Sequence, residues 1–181
     1  MTKHVLLGIG GGIAAYKLAF LASRLVQSGA RVRVAMTPHA TQFVGPVTFE
    51  GLTGSKAILS STQVDPDGSV PHIDVARWAR VYVIAPASAA LLSNLARGAA
   101  DDPVSLLAIT CRCPIFVCPA MHDSMWTAAA VQDNCAILRR RGVELLGPVQ
   151  GHLAEGYDAI GRMVEPEAIF ARVEAVLAGA R

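Results

Sequence analysis

Charge is scarce in this chain. Only 17% of its 181 residues are Asp, Glu, Lys or Arg, and the formal net charge is +2. With no basic stripe, nucleic acid is not expected as a partner. Long apolar runs are missing too: no stretch reaches the roughly 18 uninterrupted residues of a membrane span. The N-terminus "MTKHVLLGIGGG" has no small-residue cleavage site and turns straight into glycines, so it does not read as a signal peptide. A cytoplasmic protein without a membrane partner is expected. Cysteine is limited to Cys111, Cys113, Cys118 and Cys135. A C-x-C pair plus two lone residues matches no common zinc spacing, so no metal is expected and the thiols read as buried and reduced. There is no linker, repeat or low-complexity tract, and the length suits one domain over residues 1–181.

Apolar residues, in contrast, are abundant: 52% of the chain, with a mean hydropathy of +0.42. For a monomer of this size that leaves apolar surface to spare, and burial between subunits is the simplest outlet. A homo-oligomer is therefore expected.

The pattern of elements is regular. "HVLLGIG" (4–10) reads as a strand, followed by a helix over "IAAYKLAFLASRLVQSGA" that stops at Gly29. "RVRVAMT" (31–37) and "RVYVIAP" (80–86) are further strands, and "SAALLSNLARGAAD" is a helix after Ser88. "PIFVCPA" (114–120) is a fourth strand, then a helix over about 127–141 and a fifth strand "VELLGP" (143–148). "PEAIFARVEAVLAGA" closes the chain as a helix, with Pro166 in its first turn. Residues 60–72 read as a surface loop. Apolar strands alternating with helices predict a doubly wound α/β fold: a Rossmann-like or flavodoxin-like parallel sheet covered on both faces.

"GIGGGIAAYK" lies where the first strand hands over to the first helix, a ready phosphate site. It departs from the dinucleotide fingerprint, because Ile13 stands where a third glycine belongs. The second strand ends in Met36-Thr37-Pro38, without the acidic residue that would hold an adenosine ribose. A phosphate loop lacking that acid favours a mononucleotide. A second junction, "APASAA" (85–90), adds the Ser88 hydroxyl and helix N-terminal amides.

At the end of the fourth strand, "PAMHDSMW" (119–126) crowds soft, flat and ionisable side chains into eight positions. Taken alone, Met121 and Trp126 read equally as packing beneath a loop, and His72 as a polar loop histidine. Together with "GGIAAYK", "PHIDVARWARVYVIAPASAA" (71–90) and "GHLAEGYDAIGRM" (151–163), the segment resembles the homo-oligomeric flavin-containing cysteine decarboxylases. That family includes phosphopantothenoylcysteine decarboxylase and the lantibiotic-type peptidyl-cysteine decarboxylases.

The resemblance implies FMN as cofactor, with Gly11, Gly12, Ile13, Thr37, Phe43, Ser88, Ala89 and Asp102 as its contacts. It implies that flavin oxidises the thiol-bearing carbon of a cysteine, so that the carboxylate can leave and an enethiol forms. By the same resemblance His72 handles the thiol proton, a task suited to an imidazole. Met121, His122, Met125 and Trp126 become the substrate clamp, the methionines giving polarizable contact to thiol and ring. A trimer, or a dodecamer assembled from trimers, is implied, with each flavin near a subunit boundary.

Three positions depart from the family pattern. His122 replaces the asparagine that binds the substrate carboxylate, and Ala90 replaces a second asparagine. Glu155 stands where the coenzyme A enzymes carry the cysteine that protonates the enethiol. These departures lean toward oxidative decarboxylation of a C-terminal peptidyl cysteine, with Glu155 as the remaining catalytic carboxyl group. Phosphopantothenoylcysteine is the alternative substrate, and a catalytically inactive flavin-binding regulatory subunit is the rival of another class.

Overall fold

The computed structural model describes residues 3–64, 68–154 and 156–179. Five parallel strands form one sheet in the order β2-β1-β3-β4-β5. They are β1 (His4–Ile9), β2 (Arg31–Met36), β3 (Val81–Ala87), β4 (Ile115–Pro119) and β5 (Glu144–Leu145). The sheet is doubly wound in the flavodoxin-like order, with the reversal between β1 and β3.

Strand periodicity sorts the core into two halves, because successive side chains point to opposite faces. Val5, Leu7 and Ile9 of β1 and Val81, Val83 and Ala85 of β3 face one layer. That layer is built by α1 (Lys17–Gln27), α2 (Pro46–Thr53) and α8 (Pro166–Gly179). Leu18, Leu21 and Leu25 recur at helical spacing on α1 and are wholly buried there. Leu6, Tyr82 and Ile84 face the other layer. It consists of α3 (Pro71–Trp78), α4 (Ala89–Arg97), α5 (Pro103–Thr110) and α7 (Ala129–Arg140).

Several boundaries differ from the sequence reading. The first helix opens as a 3-10 turn over Ile13–Tyr16 before α1 begins. The fifth strand shrinks to two residues, Glu144 and Leu145, pairing with Phe116 and Val117. The loop expected over 60–72 ends at Val70, since Pro71 and His72 already form the first turn of α3; Asp65, Pro66 and Asp67 lie outside the described residues. α2 and α5 escape a reading of the sequence because neither shows an apolar stripe: "PVSLLAIT" is apolar almost throughout, and "PVTFEGLT" carries β-branched residues and a glycine. After β5 comes an antiparallel hairpin of β6 (Val149–His152) and β7 (Asp158–Arg162), whose second strand lies against the short helix α6 (Asp123–Trp126). Among the described residues no helix is long and apolar enough to cross a membrane.

Tyr82 ties the sheet to the layer beneath it. Its ring is fully buried, and its hydroxyl donates to the Val104 carbonyl of α5 at 3.0 Å. The ring needs the space that Gly8 leaves, because a Cβ on Gly8 would stand 2.5 Å from the Tyr82 oxygen. Tyr82→Phe removes this hydrogen bond between the sheet and α5. Urea unfolding should show a loss of about 0.5–1.5 kcal/mol; unchanged stability would mean that the bond contributes nothing net.

Candidate functional site

Three strand ends meet at the switch point. Gly10 follows β1, and a Cβ there would lie 2.1 Å from the Pro86 carbonyl oxygen of β3. A Cβ on Gly11 would lie 2.6 Å from the His39 Cβ, just beyond β2. Only glycine lets the three segments close up this far. Thr37 completes the junction: its N–H donates to the Ile9 carbonyl at 3.0 Å, and its hydroxyl accepts from the Ala40 N–H at 3.1 Å.

Two helix starts face this junction. Ser88 caps α4, its hydroxyl accepting from the Leu91 N–H at 3.3 Å. Asp102 caps α5 with one carboxylate oxygen on the Val104 and Ser105 N–H groups, at 2.9 and 3.0 Å. Its other oxygen accepts the Ser105 hydroxyl at 2.6 Å.

A cavity of about 460 Å³ lies among these groups, with Gly11, Thr37, Phe43, Ser88 and Asp102 in its wall. A second, of about 610 Å³, shares Gly11 and Ser88 with it and continues past Gly12 and Ile13 to Met121, His122 and Met125. The crevice thus joins a glycine-lined end rich in helix N-termini to an end lined by methionines and an imidazole. Ala90, at the departed asparagine position, lines the smaller part. Ala89 and Trp126 line neither part; Trp126 packs half-buried on the core beneath α6.

The hairpin forms the far wall. The Met121 N–H donates to the Gly161 carbonyl at 3.0 Å, and a Cβ on Gly161 would lie 2.1 Å from the Met121 oxygen. His152, Leu153 and Arg162 reach the larger cavity from there. Lys17, also in its wall, donates to both oxygens of Glu165 at 2.9 Å, and this pairing holds the Glu165 carboxyl below the usual range. Arg162 donates to the same carboxylate. Sequence reading missed this basic edge, although Lys17 ends the quoted "GGIAAYK".

His122 is fully engaged. Its Nδ1 lies 3.2 Å from the Ser124 N–H donor and 2.8 Å from the Ser124 hydroxyl. Its Nε2 lies 2.8 Å from the Tyr157 hydroxyl, which itself donates to Asp123 at 2.8 Å. This network assigns the proton to Nε2, with Nδ1 accepting from Ser124. The Asp123 carboxylate also lies 2.9 Å from Nδ1. Donating to a substrate carboxylate requires displacing a present partner. Tyr157 was not singled out from the sequence; its sole signal was membership of the "GHLAEGYDAIGRM" segment.

His72 stands apart. It is the second residue of α3, half-buried, and lines neither part of the crevice. Glu155 lies outside the described residues. None of the four cysteines reaches the crevice, and no cluster of metal-ligating residues occurs among the described residues.

An open α/β sheet with a glycine turn and two helix starts at its switch point has the build of a mononucleotide-binding protein. The Flavoprotein family model matches residues 1–178, and the chain belongs to that family. The resemblance carried by "GGIAAYK" and "PAMHDSMW" to its cysteine decarboxylases is borne out by the individual similarities. The coenzyme A biosynthesis bifunctional protein CoaBC of Haemophilus influenzae is 42% identical over 170 residues, covering 93% of this chain and 42% of that protein. The CoaBC of Bacillus subtilis is 39% identical over 168 residues, covering 93% and 41%. The chain therefore spans less than half the length of these relatives. Among solved structures, a PPC decarboxylase mutant complexed with pantothenoylaminoethenethiol superposes with a TM-score of 0.88 at 28% identity, over 98% of this chain and 100% of that one. The FMN-dependent cysteine decarboxylase SpaF gives 0.84 at 27%, over 99% and 98%.

The network around Tyr157 makes a pH prediction. The Tyr157 hydrogen bond is the main cause holding the Asp123 carboxyl below its ordinary range. A depressed carboxyl stabilises the fold above its unfolded pKa, and that contribution fades as pH falls through the folded pKa. Tyr157→Phe should raise the Asp123 pKa toward its ordinary value in a carboxyl NMR titration. No upward shift would mean that the phenol does not bond Asp123 in solution.

Proposed function

We propose that the chain is an FMN-dependent decarboxylase acting on a cysteine carboxylate. The observation that carries this reading is the continuity of the crevice, in which Gly11 and Ser88 belong both to the phosphate-type end and to the Met121–His122–Met125 end. The residues present fit the cofactor. The amides of Gly11, Gly12 and Ile13 and the α4 start at Ser88 and Ala89 would hold the phosphate, and Thr37, Phe43 and Asp102 would border the same group. When bound, FMN supplies the two-electron oxidation that gives the carboxylate's electrons somewhere to go.

The chain's own residues bind and move protons. Met121 and Met125 offer soft contact to the thiol side of the substrate, and Trp126 braces the clamp from below. His122 offers the carboxylate an N–H once Tyr157 is displaced. Lys17 and Arg162 make that end of the crevice attractive to anions.

His72 takes the thiol proton in this reading, yet it lines no part of the crevice within one chain. A homo-oligomer, a trimer or a dodecamer assembled from trimers, would resolve this by bringing the α3 of a second copy to the crevice. Ile13, Tyr16, Phe20 and Val47 are each more than half exposed, which supports such burial between copies. Light scattering should show an oligomer at micromolar concentration, and a stable monomer would overturn this part.

The substrate is phosphopantothenoylcysteine or a peptide ending in cysteine. The CoaBC relatives near 40% identity favour the first. Glu155 and His122 favour the second, together with release of the unsaturated enethiol, because an ionised carboxylate at neutral pH has no proton to donate. Anaerobic single turnover with each substrate is the test. We expect a product lighter than simple loss of carbon dioxide by the mass of two hydrogens, with flavin left reduced. A saturated product with reoxidised flavin would overturn enethiol release. Carbon dioxide from neither substrate would overturn the decarboxylase reading itself. His72→Asn should keep FMN and lower turnover at least about 100-fold; a wild-type rate would remove His72 from the mechanism.

A further inference from the structure

The C-x-C pair has no part in the crevice and lies at the opposite end of the sheet. A cavity of about 450 Å³ opens there, with Cys111, Arg112, Cys113 and Arg141 in its wall above Ile84 and Leu95. It sits where β4 begins and where α5 and α7 end, whereas the crevice lies beyond the far ends of β1, β3 and β4.

The backbone on either side of the pair is fixed. Cys111 caps the end of α5, its N–H donating to the Leu107 carbonyl at 2.8 Å. Immediately after Cys113, the Pro114 carbonyl accepts from the Tyr82 N–H at 3.0 Å. Between these anchors the chain bends at Cys113, and both cysteines lie in the wall of the same cavity. Cys111 is 8% exposed, while Cys113 is half-buried. Arg141 is held at the rim by donating to the Ala96 carbonyl at 2.7 Å.

The pair is therefore unequal. The neighbouring Cys111 thiol pushes the Cys113 thiol down, whereas Cys113 and burial push Cys111 well up. The more accessible sulfur is the better thiolate, and its buried neighbour keeps the proton. Cys118 and Cys135 differ: both are wholly buried, and burial raises their thiols.

We propose that Cys111 and Cys113 form a dithiol exchange site that reacts with low-molecular-weight disulfides in the cavity. The Cys113 thiolate attacks one sulfur of R–S–S–R; that S–S bond breaks, R–S⁻ leaves and a mixed disulfide forms. Cys111 then gives its proton to the departed thiolate and attacks the Cys113 sulfur, expelling the second R–S⁻, which takes a proton from water. The protein dithiol is oxidised by two electrons, and the small disulfide is reduced by two to a pair of thiols. Arg112 and Arg141 make the mouth electropositive, which favours the attacking thiolate and an anionic R group. The reaction reverses with excess thiol.

The test uses the full flavin-loaded chain, reduced and then incubated with glutathione disulfide. We expect two of the four thiols to disappear and the protein mass to fall by two hydrogens, with mapping that joins residues 111 and 113. Cys111→Ser should stop at a stable mixed disulfide on Cys113. Cys113→Ser should react at least about tenfold more slowly, since the remaining thiol is buried and protonated. Cys135→Ser should behave like the wild type. Four thiols surviving in the wild type, a glutathione adduct that never resolves, or reaction at Cys118 or Cys135 would each overturn the proposal.

Discussion

The contact on which the rest of this structure depends is the approach of Gly10 to the Pro86 carbonyl. A Cβ at Gly10 would lie 2.1 Å from that oxygen, so the end of β1 can meet the end of β3 only as glycine. The strand-order reversal lies between the same two strands. Because the chain leaves β1 and β3 in opposite directions around the sheet, their ends stay uncovered and a crevice opens above them. The Ser88 and Asp102 caps then aim two helix starts at the same space, each satisfying amides with its own side chain.

At the other end of the crevice, polar bonds add to the packing of Leu153 and Met163 in setting the shape. The β6–β7 hairpin would have little to hold it alone, since a two-stranded ribbon is marginal in water. It is pinned through the Met121–Gly161 bond and again where Tyr157 meets His122 and Asp123. The imidazole that replaces the family asparagine is thus both a wall of the cavity and an anchor for the hairpin. Any group that took a hydrogen bond from the same His122 nitrogen would have to displace the Tyr157 contact that anchors the hairpin.

The sheet was legible in the sequence because its strands are short apolar runs that end at glycine or proline, and β1 to β4 fall within a residue or two of where those runs lie. That Gly11, Gly12, Ile13 and Ser88 border one crevice was legible for the same reason: they stand at the strand-to-helix junctions of adjacent strands. α5 was hidden, since a helix apolar on nearly every side shows no stripe. Tyr157 was hidden as well. Its role depends on a contact with His122, 35 positions away in the chain, that no local pattern encodes. His72 shows the reverse limit: it was singled out by motif, but a single chain's geometry does not explain why.

The central claim is that the glycine turn and the α4 start recognise the phosphate of a flavin mononucleotide. Equilibrium titration of flavin-free protein with FMN, riboflavin and FAD, followed by flavin fluorescence, addresses this directly. Riboflavin keeps the ring and lacks the phosphate. Two or more charge-assisted hydrogen bonds lost at about 1.5–3 kcal/mol each should weaken it at least about 100-fold relative to FMN. Riboflavin binding as tightly as FMN, or a preference for FAD, would contradict the account.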